Sequence, residues 1–248
     1  MKKFLLFFCL LLLLFNQGQA QDGFAWGVKS GLTLGFQKWN NSDRDPLFTF
    51  HGAAFIETLS EENRFTLFAQ GGYHKKGSAI RIRSFVFFDP ATGMEREFSG
   101  RTTKYEFNNL SISLGAKQKY DWGVSSKFYY LIGLRGDYTV STNLADFENI
   151  ARVSSLYPLE IGVNRFNYGA IFGGGAEFEL SELISIFVEL TINPDFSRQY
   201  YQPPIPDAYD PFTMGTRSLP EQSIRNNTVE LSVGFRFIRS VEYIEDDY

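Results

Sequence analysis

Cysteine is almost missing from the 248-residue sequence, since the chain contains only Cys9. This residue lies in an apolar run over residues 4–15, which follows two lysines and precedes the small residues Gly18 and Ala20. A basic start, a short apolar run and small residues are typical of a secretory signal peptide, here residues 1–20. The sequence therefore predicts an exported protein that is not stabilised by disulfides.

Long apolar runs and an excess of positive charge are also missing. No stretch after residue 20 approaches the roughly 18 apolar residues of a transmembrane helix, and no segment shows helical periodicity. Lys and Arg number 24 against 28 Asp and Glu, a net charge of −4, which argues against a nucleic-acid partner.

Catalytic and metal-binding groups are scarce. Only two histidines are present, and no serine near them has the surroundings of an activated nucleophile. We therefore predict no catalytic residue, no cofactor, no metal ligand and no enzymatic activity.

Aromatic residues and strict alternation are what the sequence has in abundance. Aromatics make up 17% of the chain. In 27–37, "GVKSGLTLGFQ", mostly apolar residues alternate with Gly, Lys, Thr and Gln, a period of two that indicates a strand with one apolar face. The same alternation predicts eight strands, at 24–37, 48–59, 65–84, 104–120, 127–140, 167–180, 184–195 and 226–238.

Long and short connections alternate between these strands. The short ones are 60–64, 121–126 and 181–183, and the long ones are 38–47, 85–103, 141–166 and 196–225. All nine prolines lie in the long connections or at their edges, because proline cannot donate to a strand ladder. One end of the sheet is therefore expected to carry loops and the other tight turns.

Two architectures fit an apolar face opposite a polar one. In a soluble β-sandwich or barrel the apolar face is the core; in a membrane β-barrel it meets lipid. The predicted strands are long enough to cross a membrane, the connections alternate between long and short, and the polar face is rich in Gly, Ser and Thr. These three features favour the membrane β-barrel. The fold class predicted is all-β: an eight-stranded antiparallel up-and-down transmembrane barrel over 21–238, followed by an acidic tail at 239–248.

Parity assigns side chains to the two faces of this barrel. On the first strand Val28, Leu32 and Leu34 are expected to face lipid, and Trp39 is expected in an aromatic girdle. An eight-stranded barrel has an interior only wide enough for side chains, so inward charges of both signs should pair there. The predicted polar network of the lumen comprises Lys29, His51, Glu57, His74, Lys117, Arg135, Asp137, Glu177, Glu179, Glu189, Glu230 and Arg236.

Two further features concern the histidines and the longest loop. If Leu59 pairs with Thr66, His51 lies directly opposite His74. We interpret the two histidines as a neutral pair in the lumen network rather than as a metal site.

The basic sequence "HKKG" at 74–77 is interpreted as a solvated strand end. The alternative is that it contacts lipopolysaccharide phosphates. The longest loop, rich in Tyr and Pro, offers candidate partner-contacting residues: Tyr200, Tyr201, Tyr209 and Phe212.

Four stretches carry a family resemblance: "GVKSGLTLGF" (27–36), "LSISLGAKQKY" (110–120), "GGGAEFELS" (173–181) and "NNTVELSVGFRF" (226–237). They resemble the PorT-like outer-membrane β-barrel family of the Bacteroidota. The resemblance implies an eight-stranded outer-membrane barrel, and some family members are linked to a protein-secretion system.

Two functions from different classes remain open on the sequence. One is a structural or interaction component of the outer membrane that contacts lipid and another envelope protein. The other is a ligand-handling barrel, either a small-solute binder or porin, or a barrel enzyme such as a lipid acyltransferase.

Overall fold

The computed structural model describes residues 23–40, 43–59, 64–89, 93–147, 158–210 and 214–240. The predicted signal peptide and residues 241–248 of the predicted tail lie outside these ranges. Within them the chain is almost entirely β-structure, with two short 3₁₀ helices at Leu144–Phe147 and Glu160–Gly162. No helix among these residues is long and apolar enough to cross a membrane.

Eight antiparallel strands form a closed ring, because the first strand pairs with the last. In chain order around the ring they are β1 (Gly23–Trp39), β2 (Asp45–Thr58), β3 (Phe65–Ile82), β6 (Arg101–Asp121), β7 (Ser126–Thr142), β8 (Phe166–Ser181), β9 (Ile184–Pro194) and β13 (Gln222–Ser240). The predicted all-β fold and all eight predicted strands are confirmed. Within the described residues, the pairing of β1 with β13 extends to Gly23 and Ser240.

The structure adds strands where the sequence predicted only loops. β4 (Phe85–Asp89) and β5 (Met94–Phe98) form one hairpin, and β11 (Ile205–Asp210) and β12 (Gly215–Leu219) form another. The short β10 (Tyr200–Gln202) pairs with the start of β13. Sequence reasoning missed these strands because each has only three to six residues, too few to show a clear alternation.

The connections differ in one respect from the predicted rhythm. β2–β3, β6–β7 and β8–β9 are joined by short turns at one end, which also holds Gly23 and Ser240. Three long connections lie at the other end, but the first, predicted as 38–47, is reduced to residues 40–44 because β1 and β2 both extend further. We call the two ends the turn end and the loop end.

Alternation separates an apolar outer face from a polar interior. Leu32 and Leu231 pair on the outside and are 59% and 49% exposed. The prediction that Trp39 lies in the outer aromatic girdle is wrong, because Trp39 is buried inside the loop end of the barrel. It is an even number of residues from the inward-facing Lys29 on the same strand, so its side chain must also point inward.

Inward glycines make room in this narrow interior. Gly115 of β6 lies opposite Gly133 of β7. A Cβ atom on Gly115 would lie 2.8 Å from the ring of Phe68 and 2.8 Å from the Cα of Gly133. Glycine at this position therefore allows an aromatic side chain to fill the lumen.

Leu231→Arg tests the assignment of the two faces. An arginine on the lipid face near mid-membrane should destabilise the barrel by roughly 2–4 kcal/mol, measured by urea unfolding in phosphatidylcholine vesicles. Leu231→Phe, which keeps the position apolar, is the matched control. Equal stability of the two variants would contradict an outward Leu231. Arginine at the neighbouring Ser232 is a weak control, since Ser232 is buried and hydrogen-bonded to His51.

Candidate functional site

Two clusters of charged side chains fill most of the lumen. The lower charge cluster, nearer the turn end, holds four cations and three carboxylates: Lys29, Glu57, Lys117, Lys119, Glu177, Glu189 and Arg236. All seven are buried, because strands on every side of the barrel direct them to the axis. Each carboxylate contacts at least two of the cations.

Glu57 is the centre of the lower charge cluster. Its carboxylate accepts hydrogen bonds from Lys117 at 2.7 Å and Lys119 at 3.1 Å, and lies 3.4 Å from the Arg236 guanidinium. Lys119 and Arg236 continue to Glu177, each at 2.9 Å. One buried carboxylate therefore joins three strands of the ring.

Lys117 also lies among aromatic rings. Its Nζ is 5.1 Å from the ring centre of Phe55, 5.5 Å from Phe68, 4.9 Å from Tyr129 and 5.7 Å from Phe187. Rings at these distances stabilise an ammonium group through their negative faces. The cation is thus held by the aromatic rings as well as by carboxylates.

The upper charge cluster, nearer the loop end, comprises His74, Lys76, Arg135, Asp137, Asp195 and Glu230. Lys76 donates to Asp137 at 2.9 Å and to both oxygens of Asp195 at 2.7 and 2.8 Å. Arg135 donates to Asp137 at 3.0 Å and to Glu230 at 3.3 Å. Three carboxylates therefore share two permanent cations, and His74 lies 2.8 Å from Glu230.

The two histidines stack directly above the lower charge cluster. His51 pairs with His74 across β2 and β3, which confirms the predicted register. Their ring centres are 5.4 Å apart and the rings are within 6° of parallel. Hydrogen bonds to Thr33 and Ser232 occupy both nitrogens of His51.

A His51→Cys, His74→Cys variant should form a disulfide within one chain under mild oxidation, because directly opposed residues have Cβ atoms about 4.5–5.5 Å apart. Faster migration on a non-reducing gel would report the bond. The control pairs His51→Cys with Lys75→Cys, since Lys75 points to the outside of β3. A bond in the control but not in the first variant would show that the register is wrong.

An amide layer crosses the lumen above the upper charge cluster. Gln37 donates to Asn226, Asn226 to Gln199, and Gln199 to Thr139, at 2.7–2.9 Å. Thr139 then donates to Asn109 at 2.7 Å. These hydrogen bonds join β1, β13, the β9–β13 connection, β7 and β6, so the polar groups of one lumen level satisfy each other.

An aromatic cap closes the loop end above the amide layer. It consists of Trp39, Tyr105, Phe107, Leu144, Tyr200 and Ile224, each less than a tenth exposed. Burial raises the pKa of the Tyr200 hydroxyl, although the hydrogen bond from the Leu159 N–H opposes this shift. The cap brings three long connections or their strand ends together over the barrel mouth.

The structure places eleven of the twelve predicted lumen residues in buried positions. Glu179 is the exception, since it lies at the turn end with about a third of its side chain exposed and pairs with Lys127 at 2.6 Å. Sequence reasoning missed Lys76, Asp195 and Tyr129. The predicted solvated strand end at 74–77 is wrong for Lys76, because its parity with His74 places it inside, where it is fully buried.

The candidate partner residues fall into two groups. Tyr201 and Tyr209 are 38% and 68% exposed, as a contact surface requires. The prediction that Tyr200 contacts a partner is wrong, because Tyr200 is fully buried in the aromatic cap. Phe212 lies outside the described residues. Segment 200–212 is therefore not a free loop that can be removed, because its first residue helps to close the barrel.

The β4–β5 hairpin exposes an apolar surface that sequence reasoning did not find. Phe85, Val86, Phe87 and Phe88 are each more than half exposed. They continue outward from the β3–β6 ladder, which ends at Ile82 and Arg101. Exposed apolar clusters of this kind on outer loops are typical of contact surfaces.

The buried charges of the lumen neutralise one another. Most of its buried charges contact groups of opposite sign, and the cap covers them at one end. Among the described residues, no group of three or more His, Cys, Asp or Glu is arranged to hold a metal ion.

Comparison with known proteins places these features in a family. The family model for an outer membrane protein beta-barrel domain matches residues 16–197. No curated protein matches the chain in sequence. In structure the chain is similar to Neisserial surface protein A, with 12% identity, a TM-score of 0.44, and coverage of 86% of this chain and 97% of that one.

Two further solved structures are similar. The outer membrane protein OprG from Pseudomonas aeruginosa has 8% identity and a TM-score of 0.43, covering 88% of this chain and 98% of its own. The outer membrane protease OmpT from Escherichia coli has 10% identity and a TM-score of 0.41, covering 90% and 99%.

Proposed function

Because the chain belongs to the outer membrane protein β-barrel domain family, we propose that it is a closed barrel that acts as a structural or interaction component of the outer membrane. The loop end then faces outward and the turn end faces the periplasm, as in barrels of this kind. Export by a cleaved signal peptide at 1–20 is part of the proposal.

The observation that carries this proposal is the filled lumen. From the turn end to the loop end, the axis is occupied by the lower charge cluster, the two histidines, the upper charge cluster, the amide layer and the aromatic cap. A porin or small-solute binder requires an open space at the same place. The filling supports a function carried out at the surface of the barrel.

The outer hairpins are the surface we propose for contact with another envelope protein. The β4–β5 hairpin presents four exposed apolar side chains, and the β11–β12 hairpin presents Ile205, Tyr209 and Met214. Aromatic and apolar residues of this kind form the centres of protein interfaces. The resemblance to the PorT-like family makes a protein-secretion or surface assembly the first partner to test.

Affinity purification of the native protein from detergent-solubilised outer membranes, followed by mass spectrometry, tests this function. We expect a stable envelope protein to copurify with the wild type. A variant in which a short Gly/Ser turn replaces residues 84–99 should lose it while remaining folded, as shown by faster gel migration before boiling. Retention of every copurifying protein by the variant would contradict a role for the β4–β5 hairpin.

A further inference from the structure

Two cations face each other on the outside of the barrel near the loop end. Lys38 of β1 pairs directly with Arg225 of β13, and both side chains are exposed. Directly opposed residues on one face of a sheet have Cβ atoms about 4.5–5.5 Å apart, and like charges there destabilise the pair. The chain therefore keeps an arrangement that is unfavourable unless an anion joins it.

No carboxylate within the described part of the chain neutralises this pair. Neither Lys38 nor Arg225 makes an ion pair there. Glu221, which immediately precedes the strand of Arg225, is bound to Arg198 at 3.1 Å. Several other outward cations do have a partner, as Lys75 has in Glu106 at 3.1 Å.

The position of the pair relative to the apolar belt indicates which anion fits. Rows of paired outward residues climb β1, β13 and β9 toward the loop end. The row Leu32, Leu231 and Leu190 is followed by Leu34, Val229 and Ile192, and then by Phe36, Asn227 and Pro194. Lys38 and Arg225 form the next row.

The spacing of these rows puts the cations at the depth of lipid headgroups. Two residues of an antiparallel strand span roughly 7 Å along the strand, which is roughly 5 Å along the membrane normal for a strand tilted by about 45°. The cations therefore lie about 5 Å above the Phe36 row and about 10 Å above the Leu34 row. Basic side chains at the edge of an apolar belt attract the anionic headgroups of lipids.

We propose that Lys38 and Arg225 bind the phosphate group of an anionic lipid in the outer leaflet. The Lys38 ammonium and the Arg225 guanidinium donate hydrogen bonds to the phosphate oxygens, the guanidinium in its two-pronged geometry. The acyl chains then lie along the Phe36, Leu34 and Leu32 side of β1. This inference rests on the outer-membrane location and is independent of the proposed protein partner.

Native mass spectrometry tests the site with a defined lipid mixture. The purified barrel, in nonionic detergent micelles, is given equal amounts of phosphatidylglycerol and phosphatidylcholine. We expect the wild type to retain phosphatidylglycerol preferentially. The Lys38→Gln, Arg225→Gln variant should bind it about thirtyfold more weakly, the effect of two basic residues near an anionic surface.

The control variant is Lys127→Gln, which removes one partly exposed cation at the turn end and should keep the wild-type preference. Each variant is checked for the fast-migrating folded form on an unheated gel. Equal retention of the two lipids by the wild type, or an unchanged preference in the double variant, would overturn the proposal. Complete displacement of the lipid by millimolar inorganic phosphate would assign the site to free phosphate instead.

Discussion

Lys76→Met is expected to cause one of the two largest losses of stability in the barrel, about 3–5 kcal/mol. Among the residues that the structure describes, the substitution removes the only cation that contacts Asp195 and one of two that contact Asp137. Both carboxylates are buried, and breaking a buried ion pair by removing one partner leaves an uncompensated charge that costs this amount. Urea unfolding in phosphatidylcholine vesicles, followed by the gel shift of the folded form, measures the loss.

The neighbouring residue supplies a matched control. Lys75→Met removes a lysine one position away, but its partner Glu106 lies at the outer face and both side chains are about a quarter exposed, so the cost should stay below about 1 kcal/mol. A Lys76→Met, Asp195→Asn variant should recover much of the lost stability, because the orphaned charge is removed. Equal stability of the Lys75 and Lys76 variants would show that Lys76 does not lie in the lumen.

Glu57→Leu should produce a loss of similar size at the other charge cluster, again about 3–5 kcal/mol. Three buried cations, Lys117, Lys119 and Arg236, lose a shared carboxylate. Lys119 and Arg236 retain Glu177, and Lys117 retains a longer contact of 3.6 Å to Glu189. The lumen would then hold excess positive charge on buried side chains, away from bulk solvent.

Glu179→Leu is the control for this second experiment. Glu179 is also a strand carboxylate paired with a lysine, but it lies at the turn end with about a third of its side chain exposed. An exposed pair of this kind contributes little to stability. If both glutamate substitutions cost the same free energy of unfolding, the distinction between a buried lumen and a solvated rim would be wrong.

The number of strands and the direction in which their side chains point were predictable from the sequence, because the alternation of inward and outward residues is a strictly local property of a strand. Once Lys29 is placed inside, every second residue of the same strand follows. The same rule, carried one step further, places Trp39 and Lys76 inside as well. Those two were misassigned because a tryptophan near a strand end resembles a girdle residue and "HKKG" resembles a solvated end.

The pairing of charges across the lumen could not be predicted in the same way. Glu57 and Arg236 are distant in sequence and meet only because the ring closes between β1 and β13. The outer hairpins were missed for a different reason. The β4 strand carries apolar residues at four consecutive positions, so no alternation marks it, and Tyr200 became buried only through the packing of three connections.

The central claim is that the barrel is closed along its axis and acts without conducting solutes. Single-channel recording in planar lipid bilayers tests it most directly, with the purified folded protein on one side and molar potassium chloride on both. We expect no stepwise conductance from a protein whose gel mobility shows it to be folded, while a general porin prepared in the same way gives regular steps. Reproducible steps from the wild type that change size in the Lys76→Met variant would mean that ions pass along the lumen, and would contradict the account.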